Sequence, residues 1–248
     1  LSCHAAGQAV SSAYAVSDKN LEFQVPQTQL LWGDTHVHTV LSGDSALFGN
    51  KLVGPDEAYR FAKGEVVQAS LGKPAQLETP LDFLLVSDHA ETMSAIWQLR
   101  HPTAEQKREQ RLQTALNIVE RGLDAIPADV SQIETVNVAL SSAAMFLLDG
   151  SAASNLAANN AWQEIIASAE RHNQPGEFTA LIGYEWSSTP NGDNLHRVVM
   201  YRDGDDKVSQ THPVSVIAAM IDPTAYHPET LWSGLQDYEN KTGGQVLA

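Results

Sequence analysis

Four short apolar segments shape the hydrophobic pattern of the chain, and each adjoins polar residues that can do chemistry. The segments are residues 30–33, 81–86, 178–184 and 198–201. Their apolar residues run almost continuously instead of alternating with polar ones, which is typical of strands buried on both faces of a parallel sheet that helices cover. The pattern therefore predicts an α/β fold.

Patterns typical of helices lie between the predicted strands. One helix is predicted over residues 55–63, because a proline and two acids open it and a glycine follows it. A last helix is predicted from Pro228 to Gly243, where a glycine pair ends it. Thr103 and Gln106 form a capping box, which predicts the start of a further helix.

The stretch between the second and third predicted strands is unusually long. It runs from His89 to Phe178 and carries several helical patterns, one of them opened by a second capping box at Ser131. A simple connection between parallel strands needs only about a dozen residues. The sequence therefore predicts a helical insertion over about residues 92–175, which we expect to cap the site.

Composition and charge narrow the classes of protein. The chain has 248 residues, of which 43% are hydrophobic, enough for a sizeable core. Asp and Glu number 30 against 15 Lys and Arg, a formal charge of −15, which argues against nucleic acid as a partner. No apolar run approaches the roughly 20 residues that a spanning helix requires, so we expect no membrane span.

The first residues look like a leader region. Residues 1–29 are rich in small and polar types and form a lead-in segment ahead of a domain over residues 30–248. Because the chain starts at Leu1 and not at Met, we expect that an upstream piece was removed and that the protein is exported, to a bacterial periplasm. Cys3 fits the end of a lipoprotein signal or, alternatively, is an ordinary residue of a terminal segment.

The first strand carries candidate metal ligands. His36 and His38 are two residues apart, so their side chains leave the same face of a strand and can converge on one ion. Asp34 shares that face. Imidazoles with a nearby carboxylate suit Zn, Mn or Fe.

Further candidates lie at the ends of the other predicted strands. Asp88 and His89 end the second strand, Glu185 ends the third, and His196 opens the fourth. Strand ends at the carboxyl edge of a parallel sheet are where α/β proteins place their sites. Taken singly, Asp88 could cap a helix, Glu185 could pair with Arg197, and His196 could be a loop histidine. Together, on successive strands, they favour a common site.

These motifs, taken in order, resemble those of the polymerase-and-histidinol-phosphatase (PHP) superfamily, in a bacterial branch known mainly as a domain of unknown function. The motifs are Asp34-Thr35-His36-Val37-His38-Thr39, Ser87-Asp88-His89, Gly183-Tyr184-Glu185 and Leu195-His196. The resemblance implies a distorted barrel of the (β/α)7 type, with two or three divalent transition metals (Zn, Mn or Fe) at the carboxyl ends of the strands.

The resemblance also implies roles for single residues. Histidines 36 and 38 would hold one ion, Glu185 would bridge two ions, and His89 and His196 would complete the others. Asp44, in the loop after the second histidine, is a further implied ligand. We assign Arg197 and Asp88 to catalysis: Arg197 would bind a phosphoryl oxygen or, alternatively, form a structural salt bridge, and Asp88 would support the ligands.

The resemblance extends beyond the last residue of this chain. The superfamily takes further ligands from later strands, whereas residues 245–248 correspond to the opening of a fifth strand. We therefore expect this chain to be the N-terminal part of a longer protein. Its expected partner is the remaining C-terminal part, which could be a separate fragment.

The function implied is that of a metal-dependent hydrolase, specifically a phosphoesterase that acts on a small phosphorylated molecule. Two alternatives stay open: a hydrolase of another ester or amide bond, and a non-catalytic metal-binding module. A serine or cysteine nucleophile is disfavoured, because the sequence has no G-x-S-x-G motif and its one cysteine is in the terminal segment.

Overall fold

The computed structural model describes residues 29–121, 133–148, 151–190, 193–216 and 226–248, and the predicted capping box at Ser131 lies outside these ranges. The elements belong to the compact unit Leu31–Ala248. The strands are β1 (Gly33–Val37), β2 (Val67–Gln68), β3 (Pro74–Ala75), β4 (Phe83–Val86), β5 (Thr179–Ser188), β6 (Leu195–Tyr201) and β7 (Val246–Leu247). The helices are α1 (Gly43–Leu47), α2 (Pro55–Ala62), α3 (Ala90–Arg100), α4 (Gln113–Arg121), α5 (Ile133–Leu147), α6 (Ala152–His172), α7 (Asp205–Val208) and α8 (Pro228–Thr242).

The main sheet has five strands in the order β1-β4-β5-β6-β7, and β2 and β3 form a separate hairpin. β1, β4 and β5 are parallel, as the apolar runs predict. β6 is antiparallel to β5, and β7 is antiparallel to β6. The fold is therefore mixed α/β, and the described strands form an open sheet with no closed barrel.

The antiparallel β6 corrects the expectation of a wholly parallel sheet. Only residues 189–194 connect β5 to β6. Such a short link suits an antiparallel pair, whereas a parallel crossover needs about a dozen residues or more. Because β6 runs in the reverse direction, its first residues lie beside the last residues of β5. The strand thus reaches the same edge of the sheet that the parallel strands reach with their carboxyl ends.

Two apolar clusters stabilise the described residues. The larger one contains the inner faces of the main sheet together with residues of α2, α6 and α8, and its largest buried side chains include Trp162, Trp186, Tyr59 and Tyr184. The smaller one lies among α3, α4 and α5. Helices α3 to α6 occupy the chain between β4 and β5, and α3 and α6 pack against each other.

Most helix ends follow the signals in the sequence. The Glu57 carboxylate accepts the N–H of Gly54 at the start of α2, and Gly243 ends α8 in the left-handed conformation, with φ of 63°. The capping box of Thr103 and Gln106 forms both of its hydrogen bonds. It opens a 3₁₀ turn over Gln106–Arg108, however, and the α-helix begins only at Gln113. Among the described helices, none is long and apolar enough to cross a membrane.

Candidate metal centre

Imidazole and carboxylate groups converge at one edge of the main sheet. His36 lies in β1, His89 is the residue before α3, Glu185 lies in β5 and His196 is near the start of β6. A parallel bridge joins His89 to Glu185, so the ends of β4 and β5 are in register at this edge. The strand topology thus brings together residues that are up to 160 positions apart (196 − 36).

Glu185 is the centre of this cluster, and its side chain is almost wholly buried, with 1% of its surface exposed. Its Oε2 lies 3.0 Å from His36 Nε2 and 2.7 Å from His38 Nε2. The same oxygen lies 3.5 Å from His89 Nδ1, and Oε1 lies 2.5 Å from His196 Nδ1. One carboxylate therefore faces four imidazoles.

Asp44 supplies a second carboxylate, from α1. Its Oδ2 lies 2.7 Å from His38 Nδ1 and 3.9 Å from His89 Nε2. His38 therefore has a carboxylate at each ring nitrogen, Asp44 at Nδ1 and Glu185 at Nε2. The rings of His38 and His89 contact each other edge to face, with centroids 4.6 Å apart.

The cluster contains three groups of residues that could each hold a metal ion, since one ligand atom from each member lies within 4.8 Å of the others. The groups are His36, His38 and Glu185; His38, Asp44 and His89; and His89, Glu185 and His196. His38, His89 and Glu185 each belong to two groups. The arrangement is therefore that of adjacent positions with shared ligands.

The charges of the cluster are strongly coupled. Burial opposes protonation of His38, but the hydrogen bond with Asp44 and the adjacent Glu185 carboxylate outweigh it and raise the pKa of His38 to about 10. Burial likewise opposes ionisation of Glu185, but His38 and the other imidazoles lower the pKa of Glu185 to about 2. The pKa of Asp44 is lowered too, mainly by His38 against the effect of burial. The site therefore keeps both carboxylates ionised and attracts positive charge.

The donor set fits a divalent transition metal. Imidazole nitrogens combined with carboxylate oxygens are the ligands that Zn, Mn and Fe accept. His38 Nε2 is buried and has no hydrogen-bond partner, although Glu185 Oε2 is close to it. The nitrogen is thus buried next to a carboxylate oxygen, 2.7 Å away, and has no well-aligned hydrogen bond of its own. A cation bound by this group would satisfy the buried nitrogen.

Access to the cluster comes from its outer members. The His36 side chain is 54% exposed and the His196 side chain is 39% exposed, whereas His38 and His89 are largely covered. A ligand from solvent therefore meets His36 and His196 first. The buried Glu185 carboxylate lies between these two histidines and attracts positive charge to that position.

Asp88 holds the loop that carries His38. It is fully buried, and its carboxylate accepts the N–H of Thr39 at 2.5 Å and the Thr39 hydroxyl at 2.7 Å. Burial raises the pKa of Asp88 to about 6, against the stabilising hydrogen bonds of Thr39. Asp88 thus faces the main chain next to His38 and is in none of the three metal-binding groups.

Arg197 and Asp34 lie outside the convergence. Arg197 pairs with Trp186 across β5 and β6, whereas His196 pairs with Ser187. Directly paired residues share a face, and neighbours alternate, so Arg197 is on the face opposite to His196. Its guanidinium donates to the His196 carbonyl oxygen. Asp34 accepts the N–H of His36 at 2.8 Å. These placements do not test the catalytic roles expected of Arg197 and Asp88, which stay predictions.

Ser187 and Glu91 belong to the neighbourhood of the site but were not singled out in the sequence. The Ser187 hydroxyl lies 2.7 Å from His89 Nδ1 and 3.2 Å from His196 Nδ1. Strand alternation could have found it, because it follows Glu185 by two residues. Glu91 is on the first turn of α3, and its Oε2 is buried without a partner. Burial raises the pKa of Glu91 to about 8.

The fold and site define a mixed α/β protein with a candidate metal centre at one edge of its sheet. The chain belongs to the family described as Protein of unknown function (DUF3604), whose model matches residues 25–248. No match to the chain was found among curated proteins or among solved structures.

Proposed function

We propose that this chain is part of a metal-dependent phosphoesterase related to the PHP superfamily, with a cluster of two or three divalent transition metals. The observation that carries the proposal is the convergence of four imidazoles on the buried Glu185 carboxylate. The resemblance of the motifs to that superfamily supports the substrate class. The distorted barrel of the superfamily is part of the same proposal.

The residues of the chain would divide the work of holding the ions. His36 and His38 would ligate one ion with Glu185, and His89 and His196 would ligate a neighbouring ion through the same carboxylate. Asp44 would join His38 and His89 in a third group. Such paired cations activate water for attack on phosphorus and neutralise the charge that develops on phosphoryl oxygens.

The site suits an anionic substrate only when cations occupy it. In the metal-free site Glu185 and Asp44 both stay ionised and the protonated His38 offsets only one of these negative charges, so bound cations are needed to attract a phosphate group. Exposed His36 and His196 lie at the entrance, where an incoming substrate would pass. We therefore expect activity to depend strictly on added or retained metal.

The experiment is a hydrolysis screen with the full 248-residue chain, with and without Mn²⁺. The substrates are p-nitrophenyl phosphate, bis(p-nitrophenyl) phosphate and p-nitrophenyl acetate. The proposal predicts metal-dependent turnover of at least one of the phosphate esters and its loss in His38→Ala. His212→Ala is the matched control, because His212 is an exposed loop residue in none of the three groups.

Two results would contradict the proposal. One is phosphate-ester turnover that persists in His38→Ala or in EDTA, which would exclude the assigned cluster. The other is metal-dependent turnover of the carboxylic ester alone, which would favour a hydrolase of another bond.

A further inference from the structure

A cavity lies between the loop after α1 and the helical region that follows β4, and none of its lining residues belongs to the candidate metal centre. Its volume is about 1020 Å³, which is at the upper end of the range of about 300–1,000 Å³ that is usual for small-molecule sites. It is formed by the loop after α1, the end of α3, the following 3₁₀ turn and one face of α4. Its apolar lining consists of Leu52, Leu99, Pro102, Leu116 and Val119.

The charge of this cavity is opposite to that of the chain. Among the described residues, its lining contains Arg100 and Lys107, one carboxylate, Glu120, and Lys51, which donates to the Arg121 carbonyl oxygen. The whole chain has 30 acidic residues and 15 basic ones, so a described lining with more cations than acids reverses the overall balance. A basic cavity on an acidic protein concentrates anions locally, because the nearest charges dominate the field at short range.

Arg100, the last residue of α3, supplies one of the cations of the lining. It is half-buried, and its Nη2 donates to the Lys51 carbonyl oxygen at 3.1 Å. Burial lowers the pKa of the Arg100 guanidinium, and Glu57 offsets this from a distance. Within the described part of the chain, Arg100 forms no ion pair. A guanidinium stays charged in such a position and has several N–H donors left for a ligand.

The other polar groups lie nearer the mouth of the cavity. Lys107 is exposed, and Thr114 and Asn117 are exposed on the same side of α4. The buried Leu99 and Val119 lie deeper. A ligand in the cavity would thus meet both charged donors and an apolar wall.

We propose that this cavity is a second ligand site that binds an organic anion, with an oxyanion head against Arg100 and Lys107 and an apolar body against the leucine side chains. The planar guanidinium matches the two oxygens of a carboxylate or the oxygens of a phosphate. The site requires no metal. It is therefore independent of the function proposed above.

The test uses octanoate as the probe, in calorimetric titrations of the full chain in EDTA. Octylammonium and octanol, which have the same apolar body, are the charge controls. We expect octanoate to bind at least about tenfold more tightly than either control, a difference of about 1.4 kcal/mol. Equal binding of the three probes would overturn the proposal.

Two neighbouring cations provide a matched pair of variants. Lys107 and Arg108 lie in the same 3₁₀ turn and are both exposed, but only Lys107 lines the cavity. Lys107→Gln should weaken octanoate binding severalfold, and Arg108→Gln should leave it unchanged. Arg100→Gln should weaken it by about tenfold or more, as expected for loss of a charged hydrogen bond. Equal effects of Lys107→Gln and Arg108→Gln would contradict the assignment.

A last variant separates this site from the metal centre. Because octanoate could also approach the histidine cluster, the titration is repeated with His38→Ala. Unchanged binding supports the second site, and lost binding would place the anion at the metal centre and overturn the inference. Neither result depends on whether the chain hydrolyses a phosphate ester.

Discussion

Glu185 determines the electrostatics of the candidate site, because a single buried carboxylate compensates four neighbouring imidazoles. Its negative charge and the hydrogen bond with Asp44 raise the pKa of His38 to about 10 against the effect of burial. In the metal-free protein, therefore, a proton occupies a place between carboxylates that a cation can take. Metal binding should release that proton, since a ligating histidine must be neutral.

Replacing this carboxylate should change both metal binding and the histidine. We expect Glu185→Gln to lower metal affinity strongly, because two of the three ligand groups contain Glu185. In metal-free protein the pKa of His38 should fall below its wild-type value, because one of its two carboxylates is gone. Elemental analysis and NMR titration of the imidazole check the two effects. Glu177→Gln, at an exposed position, is the control, and an unchanged pKa of His38 would contradict the account.

The sequence was most informative about residues whose direction follows from strand alternation. His36 and His38 were expected to converge, and Ser187 could have been added to Glu185 by the same reasoning. Asp88 was harder to place, because it lies two residues beyond the end of β4 and its carboxylate turns toward the N–H and hydroxyl of Thr39. His38 lies only one residue beyond β1 and still converges with His36, whereas the direction of Asp88 depends on the neighbouring loop.

At the scale of elements, the close approach of β5 and β6 aligns Glu185 with His196. A Cβ at Gly183 would overlap the carbonyl oxygen of Val199 on β6 and would crowd Leu85 on β4. Close packing of the strands therefore explains why the G-x-E motif has a glycine at residue 183. It lets the central strand lie close to both of its neighbours.

Gly183→Ala should destabilise the protein and disturb the site. We expect a loss of about 1–3 kcal/mol in the free energy of unfolding, the usual range for overpacking a core. The metal affinity should also fall, since β6 carries His196. Gly54→Ala is the milder comparison, because its Cβ would meet the end of the Glu57 side chain at 3.1 Å and Val40 Cγ2 at an ordinary contact distance of 3.6 Å. Urea denaturation measures both variants, and equal stability of the two would contradict this role.

A polar contact also links α2 to α6. The Asp56 carboxylate, at the start of α2, lies 3.0 Å from His172 Nε2 and accepts two hydrogen bonds from Arg171. Burial opposes ionisation of Asp56, but His172 and Arg171 outweigh it and lower the pKa of Asp56. A lowered pKa in the folded state adds stability above the unfolded pKa of about 3.9, and this stability is lost as the pH falls through the folded value.

Asp56→Asn should therefore reduce stability in a pH-dependent way. We expect the variant to unfold more easily than wild type above about pH 4, and the difference to shrink as the pH is lowered further. Chemical denaturation of metal-free protein at several pH values measures it. Asp237→Asn, at an exposed position of α8, is the control. A difference that grows on acidification would show the opposite sign and refute the argument.

Two features of the elements escaped sequence reasoning for local reasons. The apolar run of β6 resembles that of a parallel strand, and only the short link from β5 reveals that it is antiparallel. The capping box at Thr103 is real, but its hydrogen bonds also satisfy the start of a 3₁₀ turn. The helical periodicity beyond residue 112 belongs to α4, which begins at Gln113 and does not use this capping box.

At the scale of the whole molecule, the candidate site joins segments that are distant in the chain. Its ligands come from β1, α1, the start of α3, β5 and β6. A ligand that binds the folded state and not the unfolded chain stabilises the fold by mass action. Bound metal should therefore link β1 and the start of α3 to β5 and β6.

Metal addition should accordingly raise the unfolding temperature. At free metal about 100 times the dissociation constant, the stabilisation is about 2.7 kcal/mol, which corresponds to several degrees for a chain of this size. Thermal unfolding of EDTA-treated protein, with and without added Zn²⁺ or Mn²⁺, measures the shift. His38→Ala should show little of it, and an equal shift in His38→Ala would mean that the metal binds elsewhere.

The most direct test of the metal centre is the metal content of the dialysed full chain, measured by elemental analysis after incubation with Zn²⁺, Mn²⁺ and Fe²⁺. The assigned cluster predicts two or three transition-metal ions per chain in wild type and in His212→Ala, and a large loss in His38→Ala. Less than about one ion per wild-type chain, or equal retention by His38→Ala and His212→Ala, would contradict it.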